Sequence, residues 1–200
     1  MKNNLPDEPA EKIILPSMEE LEAQLEREKS RSRHVKLLRT IILLLVVAVV
    51  VVCVIVILLM SVLQIYGDSM TPQLKEGNIV LSKKVHDVEN GDVVAFYYDD
   101  KVLVKRMIAD SGDWIDIDKD GTVYVNGELL EEPYVAEKAL GNCNIDLPYQ
   151  VPENQIFVMG DERNNSIDSR YRSIGCIDKD RILGKLVYRI WPIGDIGPVK

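Results

Sequence analysis

The spacing of apolar and polar positions changes character three times along the chain. Residues 1–16 are polar and carry Pro6, Pro9 and Pro16, a composition that predicts a disordered tail. Ser17 then stands three residues before Glu20, the spacing of a capping box, and Leu21 and Leu25 follow at i, i+4 among Glu19, Glu22, Glu26 and Glu28. A helix with a narrow apolar seam is expected there, with too few heptads for a coiled coil. From Ile41 to Leu63 comes a run of 23 residues without a charge. At about 1.5 Å per residue, such a helix spans the roughly 30 Å hydrocarbon core of a bilayer. From Gln64 onward the period becomes two.

In that last stretch, Asp92 to Tyr98 and Lys101 to Ile108 predict two strands around an Asp99-Asp100 turn. Trp114 to Asp118 alternates cleanly, and Lys119-Asp120-Gly121 leads to a strand at Thr122 to Val125, closed by Asn126-Gly127. Ile156 to Met159 and Ile182 to Ile190 predict two more strands. No helical period of any length follows residue 66, and Gly141 to Gln150 is expected to be an exposed loop. The expected fold is mainly β: one N-terminal transmembrane helix, then a coiled antiparallel sheet or barrel-like domain. The segments are a tail at 1–16, a helical and basic juxtamembrane segment at 17–40, the span at 41–63 and a β-domain at 64–200. That domain is long enough to bury a core of its own.

Charge fixes an orientation. Residues 29–39 hold Lys29, Arg31, Arg33, Lys36 and Arg39 and no acid, whereas Gln64 to Leu74 holds no base. The positive-inside bias places the N-terminus in the cytoplasm and the β-domain outside. The run is longer than a signal-peptide core and begins late, so it is expected to remain as an uncleaved anchor. The residues after the run carry 24 acids and 16 bases, which is the entire net charge of −8. Nucleic acid is not expected as a partner for so acidic a domain. Cys53 lies within the apolar run as a small filler. Cys143 and Cys176 would share the outer compartment, where a disulfide is chemically allowed but is not decided by spacing. No cysteine spacing suggests a metal, and two histidines (His34 and His86) are too few for a histidine-based metal site or triad. Neither metal nor cofactor is expected.

Three places carry candidate chemistry. Ser69 follows Gly67-Asp68 and precedes Met70-Thr71-Pro72, and a glycine before a serine permits a tight path and a close neighbour. By itself, a serine in a turn is an ordinary turn residue. Lys105 lies on the strand from Lys101, where alternation groups Leu103, Lys105 and Met107 on one face and Val102, Val104 and Arg106 on the other. At least one cation therefore stands on a largely apolar face, and a desolvated lysine loses its charge and becomes a base. A neutral amine beside a serine is a nucleophile with its base, without histidine. The third place is the polar stretch from Gly160 to Arg170, a solvated loop by composition, in which Asp168 and Arg170 are placed to pair and Ser166 to bond an amine.

Together these segments resemble a known family. GDSMTPQL at 67–74, GDVVAF at 91–96, VKRMIADSGD at 104–113 and GDERNNSIDSR at 160–170 stand in the order and at the approximate spacing of the boxes of bacterial type I signal peptidases, with VNGELLEEPYV at 125–135 as a further shared segment. The resemblance runs from Ile65 to Pro192 and is closest to the short, Gram-positive-like form. It implies a largely antiparallel β fold and a membrane-bound serine endopeptidase that removes signal peptides from exported preproteins at the outer face of the cytoplasmic membrane. Ser69 matches the nucleophile, Lys105 the general base and Ser166 the serine that hydrogen-bonds the amine. Asp168 and Arg170 match supporting residues, with Asp161 and Arg163 in the same loop. Ile65, Met70, Leu74, Leu103 and Val104 fall where substrate is bound, the pockets taking small side chains. Gly67 departs from those members that carry a serine there, which leaves the oxyanion to backbone N–H groups including that of Ser69. ADSGD at 109–113 and DER at 161–163 also depart from the more usual GLPGD and DNR. The implied partners are preproteins and membrane lipid, and a monomer is expected. Two other readings share the architecture: a processing peptidase dedicated to one pilus or conjugation-type substrate, and a non-catalytic, membrane-tethered domain that binds peptides.

Overall fold

The computed structural model describes residues 18–85 and 87–199. The chain divides at Val54/Ile55 into two units. The first is helix α1, Met18–Leu59, whose last turn enters the second unit. It joins the acidic segment and the apolar run into one continuous helix, while the cap expected at Ser17 lies outside the described residues. Arg33–Val56 is long and apolar enough to cross a membrane, and every side chain in it lacks a protein cover. A helix that is apolar all round and uncovered by protein needs lipid around it.

The helix ends before the apolar run does. Met60–Gln64 forms strand β1 and pairs antiparallel with β2, Ile79–Lys83. Lys84 extends this pairing by donating its N–H to the carbonyl of Leu59. Composition does not distinguish helix from strand in a short apolar stretch, and tertiary pairing decides here. The remaining strands are β3 (Val93–Tyr98), β4 (Lys101–Ala109), β5 (Trp114–Ile117), β6 (Val123–Val125), β7 (Glu128–Leu129), β8 (Tyr149–Gln150), β9 (Gln155–Met159), β10 (Ile177–Asp178), β11 (Ile182–Trp191) and β12 (Gly197–Pro198).

The main sheet runs β1-β2-β11-β3-β4-β9-β10, with β12 on the flank of β11, and a small sheet runs β7-β6-β5-β8. All pairings are antiparallel, as the alternation predicts. No closed barrel forms among the described residues. Where both faces are covered, the strands read as continuous apolar runs. Val94 and Phe96 of β3 pack with Met107, Ile156 and Val158 on one side, while Val93 and Ala95 pack with Ile65, Met70, Leu74 and Leu186 on the other. Ile115 and Ile117 turn inward from β5 onto Ile108, Phe157 and Met159. Strand β4 lies between β3 and β9, so its second half, Lys105 to Ala109, is buried on both faces. Both adjacent cations, Lys105 and Arg106, are therefore interior, where the sequence alone required only one. Cys143 and Cys176 are free thiols.

Candidate active site

The segment after β1 is a tight, non-repetitive turn. Gly67 has φ +76° and open space where a side chain would begin, a conformation that glycine adopts without penalty. Thr71 N–H closes a turn onto the Asp68 carbonyl, and Leu74 N–H reaches back to Met70. Ile65, Met70 and Leu74 are buried and pin this segment to the core from below, leaving Ser69 half-exposed on top. The Ser69 main-chain N–H has no acceptor among the described residues.

Lys105 reaches Ser69 from the adjoining strand, with Nζ 2.6 Å from Oγ and the two in a hydrogen bond. The residue is only 5% exposed. Burial lowers the amine from its usual 10.5 to about 8, against the pull of the Asp168 carboxylate and with some help from Arg170. Near neutral pH an appreciable fraction is uncharged, and an uncharged amine accepts the serine proton instead of donating its own.

The stretch from Gly160 to Arg170, solvated by composition, is largely buried. Asp161, Arg163, Ser166, Asp168, Ser169 and Arg170 are each at most 6% exposed. Asp161, Arg163, Asp168 and Arg170 are held in ion pairs with side chains at or near zero exposure. Arg106 makes a two-pronged bond to Asp161 at 2.8 and 2.7 Å, and Arg170 makes one to Asp168 at 2.9 Å on each prong. Burial pushes Asp168 up, but the Arg170 guanidinium and the Gly160 N–H hold it below the usual carboxylate range. Arg163 grips Glu132 and donates from Nε to the Gly160 carbonyl at 3.0 Å. A side chain at Gly160 would run into the Ser166 hydroxyl and come within 2.6 Å of the Ser69 carbonyl oxygen. The glycine therefore lets the two loops touch.

The structure brings Ser69, Lys105, Asp161, Ser166, Asp168 and Arg170 into one region, and Asp168 pairs with Arg170 as expected. Ser166 is buried beside Gly160 and close to Asp168, but its Oγ makes no hydrogen bond of normal geometry, to Lys105 or to any other described group. A cleft of about 590 Å³ is lined by Ile65, Met70, Leu103, Val104, Ser69 and Lys105, among others. Leu74 does not line it; it is wholly buried behind Met70. Gly67 lies on a second cleft that shares Ser69, Lys101, Leu103 and Lys105 with the first. Glu132, Gln73 and Tyr134 were not visible as site residues. Glu132 is one glutamate of a polar pair, yet it neutralises Arg163. Gln73 accepts from Arg106, over which the Tyr134 ring stacks at 3.9 Å.

A serine hydroxyl bonded to a buried amine beside an apolar cleft defines a candidate serine hydrolase site. Residues 38–191 match the family model described as signal peptidase, peptidase S26. The chain is 37% identical over 145 residues to signal peptidase I of Bacillus licheniformis, covering 66% of this chain and 77% of that one. It is 35% identical over 151 residues to signal peptidase IB of Staphylococcus aureus, covering 66% and 78%. A signal peptidase I structure from Enterococcus faecalis aligns with 52% of this chain and 99% of its own, at 27% identity and a TM-score of 0.42. The chain belongs to the signal peptidase family, peptidase S26, as a bacterial type I signal peptidase. It is thus an enzyme, a serine endopeptidase, and the non-catalytic reading falls. Family membership and the uncovered apolar helix together make it membrane-anchored.

Proposed function

We propose that Ser69 and Lys105 cleave signal peptides from exported preproteins at the outer face of the cytoplasmic membrane. The observation that carries this reading is the 2.6 Å bond between the Ser69 hydroxyl and a buried amine. Neutral Lys105 takes the Ser69 proton as Oγ attacks the carbonyl carbon of the scissile bond. The tetrahedral oxygen takes its hydrogen bond from the free Ser69 N–H, and Gly67 contributes no hydroxyl. Collapse breaks the C–N bond, and Lys105 gives its proton to the departing amine of the mature chain. A water then gives a proton to Lys105 and attacks the acyl carbon; the bond to Ser69 Oγ breaks, Lys105 returns the proton to Oγ, and the signal peptide leaves with a new carboxylate.

The cleft between β1 and the first half of β4 suits an extended peptide added alongside, with alternate side chains entering pockets walled by Ile65, Met70, Leu103 and Val104. Those walls leave room for small residues. The basic stretch from Lys29 to Arg39 supports a cytoplasmic N-terminus, with the β-domain outside. Ser69 follows the end of the helix at Leu59 by ten residues, a reach of at most about 35 Å. This keeps the nucleophile near the headgroups, where signal peptides end.

The test is cleavage of several preproteins by the purified full chain, with the new N-termini sequenced. Ser69→Ala and Lys105→Ala are each expected to abolish cleavage while leaving the domain folded. Near-normal cleavage by either variant overturns the pair, and cleavage of a single preprotein out of many points to a dedicated processing enzyme.

A further inference from the structure

The second cleft, of about 540 Å³, adjoins the apolar one at the Ser69–Lys105 pair and extends from there along Gly67, Asp68 and the β3–β4 hairpin. Both clefts contain Ser69, Lys101, Leu103 and Lys105, so they meet at the catalytic pair, and Lys101 stands on the border between them. The first cleft holds the small-residue walls and takes the chain before the scissile bond. A peptide whose carbonyl carbon sits at Ser69 Oγ must therefore leave through the second, which receives the first residues of the mature chain.

The rim of that second cleft is charged. It is formed by Asp68 and by the β3–β4 hairpin tip, Asp99, Asp100 and Lys101. All four residues are exposed, and among the described residues none of them forms an ion pair. Three carboxylates against one ammonium give the exit path a net negative field. Asn165, Ile167 and Ile174 complete the lining without charge, and the buried Lys105 is its one further base.

We infer that the hairpin tip Asp99-Asp100, with Asp68, selects substrates by the charge of the mature N-terminus: basic or neutral starts are cleaved, and acidic starts are disfavoured. This inference rests on the peptidase reading above, but concerns residues that do no chemistry. The groups are solvent-exposed, so each contact is worth little and is screened by salt. The summed effect on kcat/KM is expected to be roughly three- to ten-fold between basic and acidic starts at low ionic strength.

The experiment uses the full chain in detergent micelles and three versions of one preprotein. These carry two lysines, two serines or two aspartates at the second and third positions after the scissile bond. The wild-type enzyme is expected to order them lysine, serine, aspartate in kcat/KM, with the spread shrinking in high salt. Asp99→Asn with Asp100→Asn should bring the lysine and aspartate versions close together and leave the serine version within two-fold. Asn tolerates the positive φ of +49° at position 99, so the hairpin is kept. Lys101→Gln should widen the spread. Equal rates on all three versions by the wild-type enzyme overturn the proposal. So does a spread that survives in the doubly substituted enzyme, or one that narrows with Lys101→Gln. Failure to cleave even the serine version would instead count against the peptidase reading.

Discussion

The main-chain N–H of Glu162 donates to the carbonyl of Ser69 at 3.1 Å, so the polar loop is stitched to the backbone of the proposed nucleophile. Gly160 makes that approach possible, because a Cβ there would lie 2.6 Å from the same carbonyl oxygen. Gly160→Ala must push the loops apart. The expected result is a loss of at least about ten-fold in kcat, together with about 1–3 kcal/mol of stability from overpacking. Full activity in a Gly160→Ala enzyme would show that the two loops move independently.

With Lys105 as the proposed base, its amine is expected to set the acid limb of the pH profile. With the amine lowered to about 8, kcat/KM should rise through a midpoint near that pH and fall off towards acid as the amine takes up a proton. Lys105→Arg keeps the charge at every accessible pH and should be inactive throughout. Flat activity down to pH 5 would remove the amine from the mechanism.

The same amine makes stability depend on pH. Below pH 8 the folded and unfolded chains both carry the charge, and the fold bears its burial in full. Between about 8 and 10.5 the unfolded chain holds a proton that the folded one lacks, so stability rises with pH, and the gain is complete above 10.5. Lys105→Met removes the buried charge, and at pH 7 it should stabilise the domain by on the order of 2 kcal/mol, an advantage that fades above pH 10. Thermal melts of both proteins across that range check the sign, and a variant that melts lower at pH 7 contradicts it.

Glu132 and Arg163 form an ion pair with both side chains fully buried. Glu132→Ala leaves the guanidinium without a counter-charge in the interior, which is expected to cost about 3–5 kcal/mol. Replacing both, by Glu132→Leu with Arg163→Met, removes the stranded charge and should cost less than the single change. Denaturant melts of the two variants decide the order, and a single variant within about 1 kcal/mol of wild type would refute the pairing as a structural tie.

Ser166 has a buried hydroxyl beside the Asp168 carboxylate that makes no hydrogen bond of normal geometry. Ser166→Ala should therefore leave the melting temperature unchanged while lowering kcat by less than Ser69→Ala or Lys105→Ala does. That combination would show the hydroxyl engaging the amine during turnover. A clear drop in melting temperature would mean that it is a structural bond donor instead.

The hairpins were legible in the sequence because turn residues and alternation agree: Asp99-Asp100 between β3 and β4, and Gly121 and Asn126-Gly127 around β6. Strand β1 was not, because Met60 to Leu63 continues an apolar run that composition assigns to the span. The proximity of Ser69 and Lys105 followed from the resemblance, since alternation alone gives a lysine on an apolar face and no address for its partner. The burial of 160–170 was invisible for a different reason. Charged side chains read as solvated, and the partners that neutralise them, Arg106 and Glu132, lie 55 and 31 residues from the groups they bond.

A foreign protease attacks a chain through backbone it can bend into its own site, and by composition the stretch from Gly160 to Arg170 is a solvated loop open to such attack. The paired arginines reverse that order. Arg163 and Arg170 are almost wholly enclosed, whereas the side chain of Arg172, two residues further on, is 69% exposed. The most polar segment of the candidate site thus keeps its arginines out of a trypsin-like protease's reach, and the first basic residue after it that such an enzyme can reach is Arg172, just outside the loop.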